Sequence, residues 1–179
     1  MRKIVAGLFV SLDGVAESPE KWHFPYFNEE MGQIVGAQME AADCMLLGRV
    51  TYQGFADYWP DSQDEIADHM NGIRKVVVST TLESADWKNS TLVRGELAKS
   101  MTRLKQEPGK EISVVGSLNL VQSLLRENLL DELRLLIHPI VLGSGKRVFA
   151  DGDRVPLKLI SSRTLSTGVV YAVYEPAGR

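Results

Sequence analysis

One cysteine in 179 residues, Cys44, excludes a disulfide within the chain and makes a reducing cytoplasm the expected compartment. Basic residues do not cluster either. Twenty Lys and Arg are interspersed with 23 Asp and Glu for a formal net charge of -3, so the basic stripe of a nucleic-acid binder is missing. No apolar run approaches the length that spans a bilayer. Residues 4–10 follow Arg2 and Lys3 and imitate a short secretory leader. Asp13 comes at once, however, and no small-residue cleavage site appears, so a buried first strand is expected. Histidine is scarce: His23, His69 and His138 lie far apart without metal-ligand spacing, and no zinc site is expected. His138, beside Pro139, reads as a packed or edge residue rather than a general base. There is no linker, repeat or low-complexity tract, so residues 1–179 read as one domain. A 44% hydrophobic and 24% charged content suits a globular domain with one core.

What the chain does have is alternation. Apolar β-rich runs at 4–10, 44–47, 75–79 and 111–115 are separated by segments of helical spacing. Met31, Ile34, Val35 and Met39 share one helical face, Leu97, Met101 and Leu104 another, and Leu118, Val121, Leu124 and Leu125 a third. Strands without polar alternation, joined by helices, predict a mostly parallel sheet covered on both faces. After Asp131 the pattern changes. Runs at 132–141, 157–163 and 169–174 have no helix between them, and residues 164–168 can connect the last two as a hairpin. An α/β body is thus expected to finish with antiparallel strands on the same sheet. Pro139 cannot donate to a ladder and marks a bulge, bend or free edge.

Three strand-to-helix junctions are candidates for chemistry. Gly48-Arg49-Val50-Thr51 offers close backbone approach, free helix N–H groups and a guanidinium fork suited to phosphate. Ser79 and Thr80 put hydroxyls at a strand end, where they can hold a ribose or cap a turn. Gly116-Ser117-Leu118 permits close approach, with Ser117 a natural N-cap for the next helix. Each could equally be an ordinary turn. In a sheet that changes strand order, however, ligands gather at the carboxyl ends of strands, where all three lie. The loop Trp22-His23-Phe24-Pro25-Tyr26-Phe27 is either core packing or a wall for a flat heterocycle. Tyr52, Phe55, Tyr58 and Trp59 read as core or subunit contact, and Cys44 as an inert thiol in an apolar strand.

In order, the landmarks Ser11-Leu12-Asp13-Gly14, Leu47-Gly48-Arg49-Val50-Thr51, Val78-Ser79, Val115-Gly116-Ser117 and Pro139-Ile140-Val141-Leu142-Gly143-Ser144-Gly145 resemble the dihydrofolate reductase-like superfamily along nearly the whole chain. The similarity is greatest to the branch with the riboflavin-pathway reductase (RibD C-terminal) domain. It implies NADPH, with Gly48, Arg49, Val50 and Thr51 at phosphates, and Ser79 and Thr80 near the adenosine ribose and its 2′-phosphate. Gly116, Ser117, Leu118 and Leu120 would line the pyrophosphate and nicotinamide. Asp13 would contact substrate or relay a proton, and Trp22 and Phe27 would wall the substrate. The activity implied is reduction of a small flat nitrogen heterocycle, a pterin, folate or riboflavin-pathway aminopyrimidine. A homodimer through the C-terminal strands near Pro139 is expected from the same resemblance. Two positions depart from the family: Ser117 stands where a second glycine is usual, and the carboxylate that binds pterin has no secure match, since Glu29 and Glu30 open the corresponding helix, where carboxylates also suit the N-terminus. A nucleotide-binding domain without turnover is therefore an alternative, and a partner-binding domain with an incidental Arg49 a third.

Overall fold

The structure, a computed structural model, describes residues 1–178. Its layering starts at β1 (Ile4–Ser11), which is buried on both faces. Ile4, Ala6, Leu8 and Val10 pack into one apolar cluster, whereas Phe9 packs into another. A strand covered on both sides needs no polar alternation, which is why residues 4–10 look leader-like.

Seven strands follow: β2 (Ala42–Gly48), β3 (Arg74–Val78), β4 (Ser90–Val93), β5 (Glu111–Val115), β6 (Glu132–His138), β7 (Leu157–Thr164) and β8 (Val170–Pro176). All eight form one sheet in the order β4-β3-β2-β5-β1-β6-β8-β7. The first six strands run parallel, and β8 and β7 add antiparallel.

The helices are α1 (Glu29–Ala41), α2 (Arg49–Tyr58), α3 (Ala67–Gly72), α4 (Leu97–Gln106) and α5 (Leu118–Arg126). Leu120, Val121, Leu124 and Leu125 of α5 join Met101 and Leu104 of α4 on the sheet face that presents Cys44, Leu46 and Val76. On the opposite face Tyr52, Ala67 and Met70 from α2 and α3 meet Met45, Leu47 and Val77, while Met31 of α1 meets Leu136. Each fully buried leucine contributes roughly 1.5–3 kcal/mol, so α5 is held by its apolar stripe more than by helix propensity. Asn28 starts α1: its Oδ1 accepts from the Met31 N–H at 3.0 Å, with Glu29 and Glu30 in the first turn.

Several boundaries differ from expectation. The strand predicted over 132–141 stops at His138, because Pro139 has no N–H to give. Residues beyond it fold over the turn after β1, where the Leu12 N–H donates to the Ile140 carbonyl at 2.8 Å. The short elements α3 and β4 were not foreseen. Of the aromatic series along α2 and the turn that follows it, Tyr52 and Trp59 are core, but Tyr58 is 57% exposed. No helix among the described residues is long and apolar enough to cross a membrane.

Candidate active site

Register places the junctions in a row. Gly48 pairs with Val78, and Leu46 with Val114, so Gly48, Ser79 and Gly116 stand at one level on the carboxyl edge of the sheet. From adjacent strands, α2 leaves β2 toward one face and α5 leaves β5 toward the other. Divergence of this kind between adjacent strands marks the position at which α/β sheets form a ligand crevice.

The first and third junctions are hydrogen-bonded to each other. The Gly48 N–H donates to Ser117 Oγ at 2.9 Å, and the Ser117 N–H donates to Thr51 Oγ1 at 3.0 Å. Ser117 Oγ in turn donates to the Val115 carbonyl at 3.1 Å. The predicted N-cap is thereby corrected: Ser117 occupies that position, but its hydroxyl serves the neighbouring strand and does not cap α5. The cause is backbone conformation. Gly116 and Ser117 are both left-handed, with φ of 55° and 50°. A Cβ at Gly116 would stand 3.2 Å from Thr51 Oγ1, a tight approach that adds to the preference of this φ for glycine.

Neither α2 nor α5 has a side-chain cap, so both present first-turn N–H groups and the positive end of their dipoles beside the crevice. Arg49 opens α2 on the exposed surface, its Nη1 donating to Gln53 Oε1 at 3.2 Å, and Val50 is 67% exposed. Leu120 is buried in the core and Leu118 packs against it while partly exposed, so a ligand meets chiefly their backbone. At the second junction Ser79 is buried and its Oγ accepts from the N–H groups of Thr81 and Leu82 at 3.2 and 3.1 Å. Its hydroxyl is thus engaged in its own turn, while Thr80 is exposed.

Asp13 lies across the sheet edge, after β1. Its Oδ1 accepts from Ser11 Oγ at 2.6 Å and from the Leu142 N–H at 3.1 Å, and its Oδ2 accepts from the Gly143 N–H at 2.8 Å. The Ser11 hydroxyl foremost, then those two amides, hold its carboxyl down to about 2. Both oxygens therefore tether the 139–145 loop. Glu30 is engaged likewise: Ser166 Oγ at 2.5 Å, the Ser166 N–H at 2.9 Å and Arg163 at 3.0 Å tie it to the β7–β8 hairpin. The Ser166 hydroxyl leads in lowering it to about 2.

Trp22 and Phe27 come from the loop before α1. The Trp22 ring stands edge-on to the His138 ring at 5.1 Å, and Phe27 is 48% exposed with its ring 6.1 Å from that of His23. His138 is fully buried within this aromatic group, as its reading as a packed residue implied. Its place opposite Ser11 follows from strand register, which the sequence does not display. No group of three or more His, Cys, Asp or Glu among the described residues could hold a metal ion.

Known proteins bear on this arrangement. The family model of the RibD C-terminal domain matches residues 2–171. YyaP of Bacillus subtilis, an uncharacterized protein, is 32% identical over 97% of this chain and 95% of its own length. Among solved structures, a protein of Shewanella sp. PV-4 provisionally assigned to riboflavin biosynthesis superposes with a TM-score of 0.77 at 23% identity, covering 99% of this chain and 100% of the other. Dihydrofolate reductase from Enterococcus faecalis, complexed with NADP(H), superposes with a TM-score of 0.64 at 13% identity, over 98% and 97% of the two chains. The fold is therefore dihydrofolate reductase-like.

Proposed function

Because the chain belongs to the RibD C-terminal domain family, we propose that it is an NADPH-dependent reductase of a small flat nitrogen heterocycle, of the pterin, folate or riboflavin-pathway aminopyrimidine type. The observation that carries this reading is the bonded seam between Gly48–Thr51 and Gly116–Ser117, which brings two uncapped helix starts to one crevice. Backbone N–H groups and helix dipoles there suit a pyrophosphate, and Arg49, exposed and bonded to Gln53, has further guanidinium donors for another phosphate. The residues fit the cofactor: the left-handed Gly116 lets the turn after β5 pack closely on Thr51, and neither helix has an acidic side chain in its first turn.

Each residue then has a task. Arg49 with the N–H groups of Val50 and Thr51 holds phosphate, and Thr80 offers its hydroxyl to the ribose and its 2′-phosphate. Ser79 shapes that turn. Gly116, Ser117, Leu118 and Leu120 provide backbone against the pyrophosphate and nicotinamide. NADPH supplies the hydride when bound. Asp13 stays ionised at neutral pH, so it fixes the 142–143 amides beside the site and is a poor proton donor. Trp22 and Phe27 form the aromatic side of the substrate space.

Titration with NADPH and NADH during thermal melting tests the cofactor. At 100 times Kd a ligand adds about 2.7 kcal/mol of stability, several degrees for a chain of this size. If neither nucleotide raises the melting temperature at millimolar concentration, the cofactor assignment fails. A second reading, a nucleotide-binding domain without turnover, is favoured by Glu30 being tied to the hairpin and by the Ser117 side chain at the seam. Steady NADPH oxidation with any folate, pterin or aminopyrimidine excludes it. We also propose a homodimer. Exposed Pro139 and the outer strand β7, whose Leu159 and Ile160 are 51% and 50% exposed, support pairing of the C-terminal strands, and a monomer mass in light scattering refutes it.

A further inference from the structure

At the ends of β1 and β6, beside the proposed nicotinamide end of the crevice, His138 sits in a setting that packing alone does not explain. Its Nδ1 lies 2.8 Å from the Leu136 carbonyl and 3.3 Å from that of Val10. Carbonyl oxygens only accept, so Nδ1 carries the ring proton and Nε2 is left with a lone pair. That Nε2 is buried and has no hydrogen-bond partner among the described residues. Rings close around the imidazole at centroid distances of 5.1 Å for Trp22, 5.5 Å for Tyr26, 5.8 Å for Phe9 and 6.1 Å for His23. His23, 7% exposed, stacks on Phe9 at 4.5 Å, and its own Nδ1 also lacks a partner. Two unpaired polar atoms in one apolar cage are a standing cost that a hydrogen-bonding ligand removes.

The cover over this cage is bonded mainly to itself. Backbone N–H groups of Lys21, Trp22, His23, Tyr26 and Phe27 all donate to carbonyls between Ser18 and Phe24, and Trp22 Nε1 donates to the Glu17 carbonyl. Among the described residues, 18–27 make no hydrogen bond to a strand or helix; ring packing holds them to the sheet. Ser18, where the segment begins, is left-handed with φ of 47° although Pro19 follows, a conformation disfavoured on both counts. Phe24 and Phe27, on the outer side, are 63% and 48% exposed. A self-contained segment with a strained hinge, held to the sheet by ring packing, can swing away as a unit.

On the reductase reading above, we propose that His138 Nε2 is the hydrogen-bond acceptor for a ring N–H or amino group at the leading edge of the substrate, and that residues 18–27 are the aromatic lid which that substrate displaces. The ligand class follows from the lining. A flat heteroaromatic with an N–H donor edge satisfies the lone pair, packs on Phe9, and is covered by the lid's rings once the lid recloses over it. A carboxylate or phosphate at that edge brings acceptor against acceptor and is rejected. Phe9, Trp22 and Tyr26 carry no charge to offset such an anion, and burial, then the neighbouring His138, lowers the affinity of His23 for a proton. His138 is thus a specificity-determining residue, separate from the phosphate-holding seam.

Calorimetric binding of 2,4-diaminopteridine and of unsubstituted pteridine to the full chain, with and without NADPH, tests this. The wild type is expected to bind the diamino compound at least tenfold more tightly. His138→Leu should erase that preference, and His138→Gln, whose Oε1 restores an acceptor, should recover most of it, with melting temperatures taken on the same samples. Equal affinity of the wild type for both probes, or an undiminished preference in His138→Leu, overturns the assignment. Saturating diaminopteridine should also change tryptophan emission in the wild type but not in Trp22→Phe. Absence of a Trp22-dependent change overturns the lid. A protein that discriminates the probes through His138 but is not stabilised by NADPH keeps this site and loses the reductase reading. The converse result keeps the reductase reading and loses this site.

Discussion

Replacing Ser117 by glycine and by alanine separates two opposing effects of one side chain. Ser117 lies at φ 50° and ψ 49°. That conformation costs a residue with a Cβ roughly 1–2 kcal/mol, a cost that alanine retains and glycine removes. Glycine brings back about 0.5–1 kcal/mol through the greater freedom of the unfolded chain. Either change deletes the Oγ bonds to Gly48 and Val115, each worth about 0.5–1.5 kcal/mol net. Ser117→Ala should therefore lose about 1–3 kcal/mol, and Ser117→Gly about 0.5–1 kcal/mol less than that. The order matters more than either value, because inside a helix alanine is the more stable of the two by about 1 kcal/mol. Urea unfolding with a shared slope measures it. In thermal melts the glycine variant should lie roughly 1–4 °C above the alanine variant. An alanine variant as stable as the glycine variant would show that residue 117 is not left-handed and that the seam is drawn wrongly.

Arg49→Ala should leave unfolding within about 0.5 kcal/mol of wild type, since the side chain is exposed. It should weaken NADPH about tenfold or more by calorimetry, because charge-assisted bonds to phosphate are worth about 1.5–3 kcal/mol; unchanged affinity removes Arg49 from the site. Asp13 and Glu30 are both lowered to about 2 from ordinary values of 3.8 and 4.5. Lowered carboxyls stabilise the fold fully above about pH 5, and that stabilisation fades as pH falls toward 2. The Asp13→Asn, Glu30→Gln double variant should accordingly show a flatter urea midpoint between those limits, and an unaltered slope refutes their engagement. Lys75 is fully buried, its Nζ donating to the carbonyls of Asn71, Ile73 and Lys88 at 3.0, 2.8 and 2.9 Å and lying 4.0 Å from the Trp87 ring centroid. Lys75→Met strands three carbonyls and should cost about 2–4 kcal/mol in urea unfolding; a loss under about 1 kcal/mol rejects the staple.

Much of the fold was legible because burial on both faces leaves apolar runs that local pattern detects. Residues 111–115 are β5 as predicted, and Leu118, Val121, Leu124 and Leu125 do form the inner stripe of α5. What failed was short or tertiary. β4 has four residues, none of them buried, and α3 has six with no side-chain cap, so neither carries a periodic signal. Ser117 reads as a cap because the local sequence Gly-Ser-Leu favours one; only the distant Gly48 amide turns its hydroxyl elsewhere. The Ser-Leu-Asp-Gly motif singles out Asp13 as a residue that contacts substrate or relays a proton, but its partners Leu142 and Gly143 lie some 130 positions on, beyond any local reading. His138 shows the same limit. A histidine before a proline gives no hint that four rings from two segments enclose it.

The place of β5 has a kinetic consequence. Among the described residues, β5 alone joins β2–β3–β4 to β1–β6–β8–β7, through one ladder to β2 and another to β1, so an unseated β5 leaves two half-sheets with no strand pairing between them. Since β5 docks against strands that begin more than sixty residues earlier, its insertion closes long loops and is slow relative to local helix formation. Any nucleotide gripped jointly by the turns after β2 and β5 thus reports on the completed sheet, and its appearance during refolding should time that last insertion rather than collapse.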